Sequence, residues 1–133
     1  MNNLADNLVK TKKGKDVFSY CGFIFSPLAN NLQFLVDDYG FVKASADMAR
    51  HECWIKLKRK DAEIVIEYEL ASSVHCTLTM LNNGKAIRHS LGEFVVPMSS
   101  GPERDIEYLE NSINVLTNTI KQNLINLKFP KKS

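Results

Sequence analysis

The chain has 133 residues and a mass of 15.1 kDa, is 44% hydrophobic and 24% charged, and sets seventeen basic residues against fifteen acidic ones. Those proportions belong to an ordinary globular domain and exclude a disordered chain, a collagen-like repeat and a disulfide miniprotein. A net charge of +2 is too balanced to announce nucleic acid or a membrane surface as partner, and no apolar run nears the roughly 18 residues of a membrane span.

One domain over residues 1–133 is the expectation. Residues 1–16 are polar and basic, ending Lys10-Thr11-Lys12-Lys13-Gly14-Lys15, and read as a solvated N-terminal arm. Joined by Lys131 and Lys132 they would make a nucleic-acid-binding arm, but so few lysines are a weak phosphate footprint. Met1 to Asp6 lacks the basic start and apolar core of a secretory signal. Cys21, Cys53 and Cys76 cannot all pair within one chain. An odd count without a signal points to reduced thiols and a cytoplasmic protein.

Val17 to Phe25 is aromatic-rich and fits a strand or a buried extended segment. Ser26-Pro27 then opens a helix, because Ser accepts from free first-turn amides and Pro loses nothing at the first helical position. Leu28, Leu32 and Leu35 recur at helical spacing until Tyr39-Gly40 stops them.

The middle alternates as strands do. Cys53, Ile55 and Leu57 share one face of Glu52 to Lys58; Ile64, Ile66, Tyr68 and Leu70 share one face of Glu63 to Leu70. A turn at Lys60-Asp61 pairs them antiparallel, with Leu57 opposite Ile64, Ile55 opposite Ile66 and Cys53 opposite Tyr68. The same register sets Lys58 against Glu63 and Trp54 against Glu67 on the outer face. A one-residue slip would turn every apolar side chain outward, so the pattern fixes the pairing. A third strand, Val74 to Leu81, paired across Ala71-Ser72-Ser73, sets Ile66 against Leu78, Tyr68 against Cys76 and Glu69 against His75 as an ion pair. Asn82-Asn83-Gly84 is a hairpin signal and predicts a fourth strand from Lys85 to His89. Glu93 to Val96 extends it after a bulge at Gly92 and ends at Pro97.

Ser99 to Glu103 supplies a cap, a proline and early acids for the clearest helix. Ile106, Leu109, Ile113, Leu116, Ile120, Leu124 and Leu127 step along it by three or four. Phe129 to Ser133 reads as a frayed tail. An antiparallel meander with one apolar face needs a cover. The expected fold is α+β: about four strands, covered on one face by the long C-terminal helix and a shorter N-terminal helix.

The chemistry is sparse. No phosphate-binding loop, dinucleotide fingerprint or Cys-x-x-Cys pair is present. A zinc site needs four converging donors, yet of His51, Cys53, His75 and Cys76 the last two point to opposite faces of a strand. No metal and no cofactor is expected. A small Cys/His enzyme meets the same obstacle, since Cys53 and Cys76 belong to the core face while a nucleophilic thiol needs a base and a cleft. The chain therefore reads as no enzyme. The outer face carries Trp54, Lys56, Lys58, Glu67 and Glu69. Trp54 is either an interface anchor or covered by a loop or the N-terminal segment. Mixed charge around it suits a protein partner better than a phosphate backbone, which wants one sign. An open sheet edge also leaves a homodimer available.

Three stretches carry a resemblance. Leu32 to Phe41 is a helix closing on Tyr39-Gly40-Phe41; Cys53 to Glu69 is the paired-strand run CWIKLKRKDAEIVIEYE; Ile106 to Ile120 is the helix IEYLENSINVLTNTI. Over about residues 28–127 this order resembles small bacterial immunity proteins of polymorphic toxin systems. The resemblance implies a non-catalytic protein that binds a cognate toxin domain and blocks it by occlusion. The slight basic excess departs from the acidic balance of many such proteins and argues against a basic nuclease as target.

Overall fold

The computed structural model describes residues 3–70, 72–96 and 106–132. It is an α+β fold in which a five-stranded antiparallel sheet, ordered as the chain runs, is backed by helices. The sheet holds one strand more than its alternating pattern shows.

The basic arm is not an arm. Helix α1 (Leu4–Lys10) buries Leu4 and Leu8, one helical turn apart, and α2 (Lys12–Asn31) follows after a single residue. Asn3 caps α1 by accepting from the Asp6 amide, and Thr11 caps α2 by accepting from the Gly14 amide at 2.7 Å. The elbow between them is tight enough that a Cβ on Gly14 would collide with the Leu8 carbonyl.

Helix α2 also replaces the expected strand at Val17 to Phe25 and runs on through Pro27. Its buried residues, Val17, Cys21, Ile24, Phe25, Leu28 and Ala29, form one unbroken stripe at helical spacing. Pro27 removes one amide donor, and burial of that stripe outweighs the loss. The Ser26-Pro27 start is thus corrected to a mid-helix position. A short α3 (Gln33–Asp37) ends near Gly40, which takes φ +76.

Strands β1 (Lys43–Ala49), β2 (Glu52–Arg59), β3 (Ala62–Glu69), β4 (Ser73–Asn82) and β5 (Lys85–Val95) form the meander. The β2–β3 register pairs Leu57 with Ile64, Ile55 with Ile66, Cys53 with Tyr68, Lys58 with Glu63 and Trp54 with Glu67, as the alternation predicts. Between β3 and β4 the pairing is two residues off expectation: Ile66 meets Cys76, Tyr68 meets Val74 and Glu69 meets Ser73. A two-residue slip keeps every side chain on its own face, so burial pattern alone cannot distinguish the two registers. His75 accordingly lies opposite Glu67, and the carboxylate its ring contacts is that of Glu93 at 2.9 Å, not Glu69.

Asn83 and Gly84 both adopt positive φ, 53 and 80, in the two-residue turn from β4 to β5. The register then shifts between Cys76 and Thr77, which face Gly92 and Ser90, leaving Leu91 as the extra, fully buried residue. Pro97, the helix-opening stretch Ser99 to Glu103 and Ala71 lie outside the described residues.

The long helix α4 (Ile106–Asn126) buries Leu109, Ile113, Leu116, Ile120 and Leu124, while Ile106 is left exposed. Asn123 donates to the Leu91 carbonyl and Tyr108 to that of Val95, tying α4 to the edge strand β5. Together α1, α2 and α4 bury the inward face of the sheet, Ala46, Cys53, Ile55, Leu57, Ile64, Ile66, Tyr68, Val74, Cys76 and Leu78, in one core.

Two long-range links close the fold. Cys21 of α2 and Cys53 of β2 form a disulfide, both fully buried, which corrects the expectation of three free thiols. The C-terminal tail is docked rather than frayed. Phe129 is buried and stacks near Phe41 and Tyr39, and the Lys132 amide donates to the Asp38 carbonyl. Arg59 pins it: Nη1 donates to the carbonyls of Tyr39 (2.7 Å) and Pro130 (2.8 Å), while Nε and Nη2 grip both oxygens of Asp61. Among the described residues, no helix is long and apolar enough to cross a membrane.

Candidate functional site: the outer face of the sheet

The helices pack on one face of the sheet, and the alternation of β2 and β3 sends every second side chain to the other. The register places Trp54, Lys56, Lys58, Glu67 and Glu69 all on that outer face. Trp54 is half-buried between Asp47 of β1 and Glu67 of β3. Lys56 lies between Ser45 and Val65, and exposed Lys58 pairs with Glu63 at 3.4 Å. Glu69 is exposed opposite Glu52.

Followed across all five strands, these residues fall into rows whose charge sorts by end. The row at one end runs Lys43, Lys58, Glu63, Thr79, Arg88, with Lys56 in the row beside it. Towards the other end the next row runs Asp47, Trp54, Glu67, His75, Glu93, and the last holds Glu52 and Glu69. The face is therefore basic at one end and acidic at the other, with its tryptophan in the first acidic row. Sequence reasoning found the mixed charge but not this sorting, because Asp47, Arg88 and Glu93 lie on strands whose register it lacked or misplaced.

Like charges stand directly opposite at both ends, Lys43 against Lys58 and Glu52 against Glu69. Such pairs cost a sheet stability. The N-terminal segment meets this face at its rim, where Lys13 of α2 pairs with Asp47 at 3.2 Å. The Met48 amide also donates to Asp47, and these two contacts, the backbone one first, hold its carboxyl below the usual range.

The structure also assembles a polar series that the sequence did not show. Ser73 Oγ lies 2.6 Å from His75 Nε2, and His75 Nδ1 lies 2.9 Å from Glu93 Oε2. Hydroxyl, imidazole and carboxylate in this order are the connectivity that activates a nucleophilic serine. Ser73, however, is only 9% exposed. The cleft of about 250 Å³ beside Glu93 is walled by Phe94, Tyr108 and α4, and neither Ser73 nor His75 lines it. The series ties β4 to β5 at the acidic end of the face.

The cysteines offer no nucleophile. Cys53 is bonded to Cys21, and full burial pushes the Cys76 thiol far up, keeping it protonated. Among the described residues no three His, Cys, Asp or Glu side chains gather as metal donors.

No protein-family model matches the chain, and no curated protein and no solved structure matches it either.

Proposed function

We propose that the protein is a non-catalytic binding module that engages a protein partner across the outer face of its sheet. Following the resemblance of the helix and strand stretches to immunity proteins, the partner is a toxin domain held inactive by occlusion. One observation carries the reading: charge is sorted to opposite ends of the face, with a half-buried Trp54 in its acidic part. Opposed pairs such as Glu52 and Glu69 weaken the free sheet, and a partner with the inverse charge arrangement relieves both ends at once. Tryptophan is among the side chains enriched in binding hot spots.

Nucleic acid is the second reading, through Lys10 to Lys15 with Lys131 and Lys132. The acidic half of the face repels a phosphate backbone, and Lys13 is already paired with Asp47. A homodimer through a sheet edge is the third. The cysteines bear on the compartment: the cytoplasmic reading has Cys21 and Cys53 as thiols, whereas an oxidising compartment keeps their bond closed.

The test is recovery of a partner on the tagged protein from source-cell lysate, with and without nuclease. One stoichiometric protein that survives nuclease, and is lost when Trp54→Ala is combined with Lys56→Glu, supports the proposal. Recovery that vanishes with nuclease turns the reading to nucleic acid.

A further inference from the structure

The docked tail forms one wall of a groove of about 860 Å³ whose lining includes Tyr39, Val42, Lys60, Leu81, Lys131 and Lys132. Its charges do not balance. Asp61 is held by the Nε and Nη2 groups of Arg59, and the remaining Arg59 donor group is spent on the Tyr39 and Pro130 carbonyls. That leaves Lys60, Lys131 and Lys132 with no carboxylate partner among the described residues.

Lysines alone would fit any anion, but the same groove holds Val42 and Leu81, which are 65% and 60% exposed. A free phosphate makes no use of two exposed aliphatic side chains. A single-stranded nucleic acid stacks its bases on aromatic rings, and the ring present, Tyr39, is buried. An acidic peptide with an aliphatic side chain uses both features. The groove also shares Arg59 and Leu81 with a smaller depression of about 280 Å³ lined by Lys58, Ala62, Glu63 and Thr79. It thus opens onto the basic end of the outer face.

We propose that this groove binds an acidic, extended protein segment, with its carboxylates on Lys60, Lys131 and Lys132 and an aliphatic side chain on Val42 and Leu81. The segment's belonging to the partner of the outer face rests on the binding-module reading; the groove itself does not depend on Trp54.

The experiment is fluorescence anisotropy of the full chain with a fluorescein-labelled peptide of sequence EELEELE at low salt. The controls are its QQLQQLQ counterpart and a thymidine oligonucleotide of equal charge. The acidic peptide binds at least tenfold tighter than the glutamine peptide, and Lys60→Glu, Lys131→Glu and Lys132→Glu together weaken it at least tenfold. Leu81→Ser weakens it severalfold, whereas Trp54→Ala leaves it unchanged. If the triple reversal unfolds the protein, the corresponding glutamine variant replaces it, with folding checked by circular dichroism. Equal binding of the two peptides, indifference to the lysine changes, or tighter binding of the oligonucleotide overturns the proposal. Peptide binding lost while Trp54-dependent partner capture persists sinks the groove alone, and the converse sinks the outer-face reading alone.

Discussion

The guanidinium carbon of Arg59 lies 4.0 Å from the centroid of the Phe129 ring, clamping the end of the chain onto the sheet. The same group donates to Asp61 and to two carbonyls. Its side chain is only 11% exposed, so these contacts act in a poorly solvated setting.

Arg59→Ala therefore destabilises the protein by about 2–4 kcal/mol, the range for losing charged hydrogen bonds and a cation–π contact together. Arg59→Lys restores less than half, because an ammonium cannot grip both oxygens of Asp61 and two carbonyls at once. Urea unfolding checks this. Wild-type stability in Arg59→Ala would mean the tail contributes nothing.

Acid should loosen the same clamp. The hydrogen bond from Arg59 holds the Asp61 carboxyl below its usual range. A depressed folded value contributes stability that is fully present above the unfolded value of about 3.9, and is lost as pH falls through the lower folded value. Wild type should thus exceed Asp61→Asn in stability at pH 7, and the two should converge below about pH 4. Asp61 is 53% exposed, so solvent screening keeps the difference small. A constant gap from pH 7 to pH 2 would refute the pairing.

Closing Cys21 to Cys53 spans a sequence separation of 32 residues. On the chain-entropy account, opening it costs about 3–4 kcal/mol. Thiol counting is direct: the denatured, unreduced chain should expose one reactive thiol, that of Cys76, and the reduced chain all three. Three thiols without reductant would show that the bond does not form.

What the sequence discloses and what it hides divide on range and parity. The β2–β3 register is legible because Leu57, Ile55 and Cys53 must meet Ile64, Ile66 and Tyr68 or face water. Strand β1 escapes notice because its inward residues are Ala44, Ala46 and Met48, without a β-branched residue to mark a strand. Pro27 misleads, since a proline that suits a helix start also sits inside α2 when the stripe continues across it. The tail is hidden for another reason: nothing near Phe129 in sequence indicates that Arg59, seventy residues earlier, lies over its ring. Of the site, the five outer-face residues are legible from alternation. The sorting of charge needs the rows across all five strands.

The Ser73, His75 and Glu93 series makes its own prediction. A buried serine outside a cleft should not react with a fluorophosphonate probe, and Ser73→Ala should change labelling by nothing. Stoichiometric probe on Ser73, abolished by His75→Ala, would make this an enzyme and displace the binding-module account.

The most direct measurement places a photo-crosslinking benzoylphenylalanine at Thr77, in the row beside Trp54, and in a second protein at exposed Asn118 on α4. Illumination in source-cell lysate should join one protein to the Thr77 position and leave the Asn118 position bare. A crosslink from Asn118 with none from Thr77 would contradict the outer face as the binding surface.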